Sequence, residues 1–189
     1  MEHIINRGNF FQVIRGALFN GKLKQTQVDG MTAILDEWET NYSNNDDRWL
    51  AYMLATTFHE TATTMQPIEE YGKGKGRAYG KPDAVTGQIY YGRGFVQLTW
   101  KENYTKFAQL LKVDMVNDPA LALNPGHATK IMFVGMNRGM FTGKKLSDYF
   151  SGTTEDWLNA RRIINGTDRA ALIAGYGKIF YSAISYRRM

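Results

Sequence analysis

The chain has 189 residues, 43% of them hydrophobic and 22% charged, with 23 basic against 18 acidic side chains for a formal net charge of +5. A chain of this size can bury one sizeable core as a soluble globular domain, and the lack of any 18-residue apolar run excludes a membrane-spanning class. With no Cys, disulfide scaffolds and thiolate metal sites are excluded as well, while the positive balance favours an anionic partner: nucleic acid, a phospholipid surface or a wall polymer.

In chain order, Phe10, Phe11, Val13, Ile14, Ala17 and Leu18 recur at helical spacing over residues 8–19, and Gly21 is a turn or C-cap signal. Thr26-Gln27-Val28-Asp29 opens a second helix with Met31, Ile34, Leu35 and Trp38 on one side, closed by the polar run from Asn41 to Asp47. Asp46 or Asp47 caps a third helix, expected over residues 47–63, with Trp49, Leu50, Met53, Leu54, Thr57 and Phe58 at i, i+3, i+4 spacing. Pro67 bars its continuation and leaves Glu69 and Glu70 on a loop. Residues 72–81 hold four cations, four glycines and no acid. We expect a mobile basic loop, either plain solvated surface or a lip that attracts an anionic polymer.

Residues 89–100 are aromatic and β-branched and are broken by Gly92 and Gly94, which predicts a small irregular β-hairpin. If residues 95–100 are extended, Phe95, Gln97 and Thr99 share one face while Val96, Leu98 and Trp100 share the other. Tyr104, Phe107, Leu110 and Leu111 mark a helix, and Asn124-Pro125 opens another. Met132, Met136 and Met140 read as core filling. Asn165-Gly166 is a stop signal, and Thr167-Asp168 caps a last helix through Phe180 and Ile184. The chain is mainly helical, with no repeat or linker, so residues 1–189 are expected to form one domain.

Glu60, in Phe58-His59-Glu60-Thr61, is the residue out of place. At about 100° per residue it shares a sector with Leu50, Met53 and Thr57. Burial and the negative end of a helix dipole both favour the protonated form of a carboxyl placed there. His59-Glu60 lacks the second His of a zinc-protease helix, since Thr63 stands at that place, and His3, His59 and His127 are the only histidines available. No metal or cofactor is expected, and no Gly-x-Ser-x-Gly nucleophile turn appears. What remains is a pair of carboxylates in different environments, Glu60 inward and Glu69 or Glu70 on a polar loop near lysines. That is the requirement for glycosidic cleavage, in which one carboxyl protonates the leaving oxygen and the other activates a water that Thr99 could hold.

The segments Phe58-His59-Glu60-Thr61, Gln66-Pro67-Ile68-Glu69-Glu70, Tyr90-Tyr91-Gly92-Arg93-Gly94-Phe95-Val96-Gln97-Leu98-Thr99-Trp100 with Asn103-Tyr104, and Ile163-Ile164-Asn165-Gly166 together resemble family 19 glycoside hydrolases, which include chitinases and phage endolysins. The resemblance implies a lysozyme-like, mainly α (α+β) fold with a substrate cleft beside the hairpin, and an inverting reaction without metal. Carried over by position, Glu60 matches the general acid and follows the family's His, here His59. Glu70 most resembles the second acid of chitinases, while the spacing in some endolysins favours Glu69. Thr99 matches the residue that positions the water. Gln97, Asn103 and Asn165 match polar residues of the cleft. Tyr91 and Arg93 are sugar contacts or structural, and a guanidinium beside a Gly turn often braces carbonyls or a carboxylate.

Plant chitinases of this family are secreted and rich in disulfides, whereas this chain lacks Cys and the basic-then-apolar start of a signal peptide. The resemblance therefore points to an endolysin-type lysozyme (muramidase) that hydrolyses β-1,4 bonds of bacterial peptidoglycan. We expect a monomer without a separate wall-binding module. It would be held in the host cytoplasm without stable membrane insertion and reach the periplasmic wall once a holin-like protein permeabilises the membrane. An endochitinase and a non-catalytic wall-binding module are the alternatives. No nucleic-acid reader motif accompanies the charge, so nucleic acid is not expected as a partner.

Overall fold

The structure, a computed structural model, describes residues 4–187; His3 lies outside them. Among the described residues there are six α-helices: α1 Arg7–Leu18, α2 Gln25–Asn41, α3 Asp47–Glu60, α4 Lys101–Leu111, α5 Pro125–Arg138 and α6 Ala170–Ala183. The mainly helical architecture agrees with the sequence reading. No helix among the described residues is long and apolar enough to cross a membrane.

The centre of the molecule is α3. Every residue from 50 to 58 is buried, so α3 is enclosed on all sides rather than packed by one face. It lies along α6, which in turn packs on α1, and Phe58 meets Phe19 and Tyr176 edge-on at 5.2 and 4.8 Å. Edge-to-face pairs of this kind add to the burial of the rings themselves. Asp46 caps the start of α3 by accepting from Arg48 N at 3.0 Å. The Arg48 guanidinium reaches the carbonyls of Gly152 and Thr154, both at 3.0 Å. This ties down a hairpin of two-residue strands, β3 (Phe150–Ser151) and β4 (Thr154–Glu155), and Trp49 Nε1 adds a bond to Phe150 O at 2.9 Å.

Three expectations require correction. The third helix stops at Glu60, not residue 63, because Thr61 Oγ1 takes the Thr57 carbonyl at 2.7 Å while accepting from Met65 N at 3.0 Å, and Ala62, Thr63 and Met65 turn left-handed. The last helix begins behind Arg169 (φ 58°) rather than Thr167 or Asp168, because the Asp168 carbonyl is directed to Arg161 Nε at 3.1 Å. The strand-like alternation over residues 95–100 does not occur. Gly94 (φ 87°) and Gln97 (φ 54°) bend the chain into a tight loop closed by mutual Arg93–Leu98 bonds, so Phe95, Val96 and Leu98 are all buried. The irregular hairpin is present, and its strand β2 (Arg93–Gly94) pairs antiparallel with β1 (Ile68–Glu69), which places Glu69 opposite Arg93.

Candidate active site

Glu60 is the last residue of α3 and faces inward as its helical phase requires. It does not meet burial alone. Its Oε1 accepts from Arg161 Nη1 at 2.6 Å, and the two side chains are 16% and 4% exposed. Arg161 sits on a 3-10 turn, Asn159–Ile163, whose Ala160 and Ile163 anchor it in the core. Burying a guanidinium is costly unless it is paired and hydrogen-bonded, and here Glu60 accepts from Nη1 while the Asp168 carbonyl accepts from Nε. Glu60 Oε2 has no protein partner among the described residues. His59 is half-buried beside it; burial pushes the imidazole below its ordinary range, opposed by the charge of Glu60.

A cleft of about 350 Å³ opens against Glu60 and is lined also by Gln97, Thr99, Asn103 and Asn165, with Tyr79, Trp100, Phe141 and Ile164 among its apolar and aromatic walls. Five residues singled out from sequence thus converge from four separate segments. The bent loop is what presents them. Thr99 Oγ1 donates to the Gln97 carbonyl at 2.8 Å, which leaves the hydroxyl's lone pairs free to accept. Asn103, one turn into α4, donates to Thr99 O at 2.9 Å. Gln97 Nε2 donates to Ile68 O at 3.1 Å, which links the loop to β1. A Cβ on Gly92 would fall 2.7 Å from Gln97 Oε1, so a side chain there would push the Gln97 amide aside.

Glu69 and Glu70 occupy the neighbouring β1 edge but do not themselves line this cleft. Glu69 Oε1 accepts from the Tyr91 hydroxyl at 2.6 Å and lies 3.7 Å from Arg93 Nε, and its Oε2 pairs with Lys73 at 3.2 Å. The Tyr91 hydrogen bond is the largest effect on its carboxyl; burial, next in size, opposes it, and Lys73 and Arg93 add to the Tyr91 bond to hold the group below the usual range. Glu70 is bound differently. Both of its oxygens are engaged at 3.1 Å, one by the Tyr79 hydroxyl and the other by Gly92 N. Tyr91 is buried, and Arg93, 6% exposed, donates to Ile89 O and to the Tyr104 hydroxyl at 3.1 and 3.0 Å with its guanidinium 3.6 Å from the Tyr91 ring centre. Neither side chain reaches the cleft lining.

Sequence reasoning overlooked two residues, Arg161 and Tyr79. Arg161 stands four residues before Asn165, a helical spacing that puts both on one side of a turn, and that was the available signal. Tyr79 is the lone aromatic of the basic segment 72–81, and nothing local marks it as a wall of a cleft. No cluster of three His, Asp or Glu side chains suited to a metal ion occurs among the described residues.

Comparison with known proteins places this geometry. No protein-family model matches the chain. It is 32% identical over 106 residues to the acidic endochitinase SP2 of Beta vulgaris; the match covers 52% of this chain and 36% of that protein, so the chain spans about a third of the relative's length. Chitinase C from Streptomyces griseus superimposes with a TM-score of 0.62 over 97% of this chain and 77% of its own at 20% identity. A class IV chitinase of glycoside hydrolase family 19 from Zea mays does so with 0.58 over 91% and 92% at 18% identity. The fold is therefore that of the family 19 chitinases.

Proposed function

We propose, on the premise of a fold shared with family 19 chitinases, that this protein hydrolyses β-1,4 bonds in a polysaccharide containing N-acetylglucosamine by an inverting reaction of two carboxylates. The observation that carries the reading is Glu60 in one cleft with Thr99, Asn103 and Asn165, its Oε1 held by Arg161 and its Oε2 left for a substrate. Protonated Glu60 gives its proton to the glycosidic oxygen as the bond to the anomeric carbon breaks. Water attacks that carbon from the opposite face and loses a proton to the second carboxylate, and exchange with solvent restores both groups. Thr99, with its own hydrogen bonded to Gln97 O, accepts from that water and orients it.

Glu69 is the better second acid. It is held ionised, and its side chain is 34% exposed, whereas both oxygens of Glu70 are committed to Tyr79 and Gly92. Chitin is the substrate suggested by the names of the similar proteins. Peptidoglycan is a second reading, favoured by the chain's positive charge, since its stem peptides carry carboxylates and chitin carries none. In that reading a separate membrane-permeabilising protein gives access to the wall. Incubation with purified chitin and purified peptidoglycan, followed by product masses and by NMR of the newly formed anomeric centre, tests all of this. Reducing ends of inverted configuration are expected. Reducing ends from chitin alone would sink the peptidoglycan reading, and no product from either polymer would leave only a binding module.

A further inference from the structure

The positive charge of this chain is concentrated in one place. Residues 71–81 hold four cations and no acid, which leaves nineteen cations against eighteen acids on the rest of the chain. The neighbouring acids are already engaged: Glu69 pairs with Lys73, Asp83 takes Lys101 Nζ at 2.7 Å, and Glu70 is held by Tyr79 and Gly92 N. Lys75, Arg77 and Lys81 are exposed and have no acidic partner among the described residues.

These three side chains do not sit on an open strand of coil. The segment is wound into successive turns, with Lys75 N on Gly72 O, Arg77 N on Gly74 O and Gly80 N on Arg77 O at 2.8 to 3.0 Å. Gly74 (φ 74°) lies against Gly80 so closely that a Cβ on Gly80 would fall 1.8 Å from the Gly74 carbonyl oxygen. The segment expected as a mobile basic loop is thus wound into a closed knob. Tyr79 fixes the knob to the cleft: its hydroxyl bonds Glu70, and its ring stands edge-on to Trp100 at 5.4 Å, both rings being cleft walls. Arg77 is near enough for its charge to act on that phenol.

We propose that Lys75, Arg77 and Lys81 form an anion-docking rim on the substrate cleft, which takes carboxylates carried on branches of a β-1,4 glycan and so favours peptidoglycan over neutral chitin. This rests on the glycan-cleaving reading above and names the substrate feature that the cleft itself does not select. Cations grouped at one edge of a groove raise the local concentration of an anionic polymer and are screened by salt beyond about 10 Å.

The test is pelleting with insoluble peptidoglycan and with insoluble chitin, on full-length Glu60→Gln protein so that binding is read without turnover. Adding Lys75→Gln, Arg77→Gln and Lys81→Gln should weaken peptidoglycan binding roughly tenfold. It should also flatten the salt dependence between about 20 and 300 mM, and change chitin binding by less than about twofold. A second protein carrying Lys22→Gln, Lys112→Gln and Lys130→Gln removes the same charge from exposed sites elsewhere and should bind as the parent does. Equal weakening on both polymers, no weakening on peptidoglycan, or equal weakening by the distant set would each overturn the proposal. Failure of the hydrolase reading appears separately, as absence of product from either polymer, and pelleting does not depend on it.

Discussion

Glu60 and Glu69 are nine residues apart in the sequence, yet the protein holds them on opposite terms. Glu60 ends a helix that is buried throughout residues 50–58, and a guanidinium reaching across from residue 161 grips one of its oxygens. Glu69 sits on a two-residue strand, is about a third exposed, and is held by a phenol and two cations of its own neighbourhood. A proton donor has to be kept in one position and away from water, whereas a base has to reach water. The difference predicts that breaking the hold on Glu60 affects the fold as well as the chemistry, whereas removing the Glu69 carboxylate affects the chemistry with little effect on the fold.

Glu60→Gln is the largest expected effect. Removing the acid should lower kcat by about a thousandfold, in the range found for general acids. The amide oxygen can still accept from Arg161, but the buried guanidinium loses its counter-charge, so the melting temperature should fall, by less than if the hydrogen bond were lost too. A drop below about tenfold would remove Glu60 from the chemistry. Arg161→Met tests the same wall through stability. It strands Glu60 as a nearly buried, unpaired carboxylate, and breaking such a pair costs about 3 kcal/mol. For a chain of this length that is a fall in Tm of roughly 6–12 °C in a thermal melt. An unshifted Tm would mean that the pair is not part of what holds the two segments together.

On the loop wall the same measurements should separate. Glu69→Gln is expected to lower kcat by about a hundredfold with the Tm unchanged. Glu70→Ala should do the reverse, costing about 1–2 kcal/mol through the lost bonds from Tyr79 and Gly92 N while leaving much of kcat. If Glu70→Ala abolishes turnover in a folded protein and Glu69→Gln does not, the roles are exchanged.

The helices and the inward face of Glu60 were legible because α3 repeats its apolar positions at helical spacing and Asp46 caps it. The convergence of Thr99, Asn103 and Asn165 on Glu60 was legible only through motif resemblance. Local periodicity misread residues 95–100 as extended, since two left-handed residues, one of them Gln97, are decided by the fit of the loop and not by propensity. For Arg161 the local sequence offered only its four-residue spacing to Asn165, and nothing in it pointed to Glu60. Its partner is 101 residues away, and only tertiary packing brings a 3-10 turn to the end of α3.

The smallest expected effect is the most selective. Tyr91 donates the 2.6 Å hydrogen bond that is the leading cause of Glu69's lowered pKa. Removing that hydroxyl in Tyr91→Phe leaves the ring on Arg93 but takes away the bond, so Glu69 should titrate at higher pH. A base must be ionised to act. Activity in the parent therefore persists as pH falls below the ordinary carboxylate range and is lost only through the depressed pKa of Glu69. In Tyr91→Phe the acid limb of the kcat/KM profile should move to higher pH, with the maximum rate little changed. The same sign holds for folding: the stability that comes from a depressed carboxyl is present above its unfolded pKa and is lost as pH falls through the folded one. A pH–rate profile of Tyr91→Phe that superimposes on the parent's would detach Glu69 from the acid limb and return the base to Glu70, whose oxygens Tyr91 does not touch.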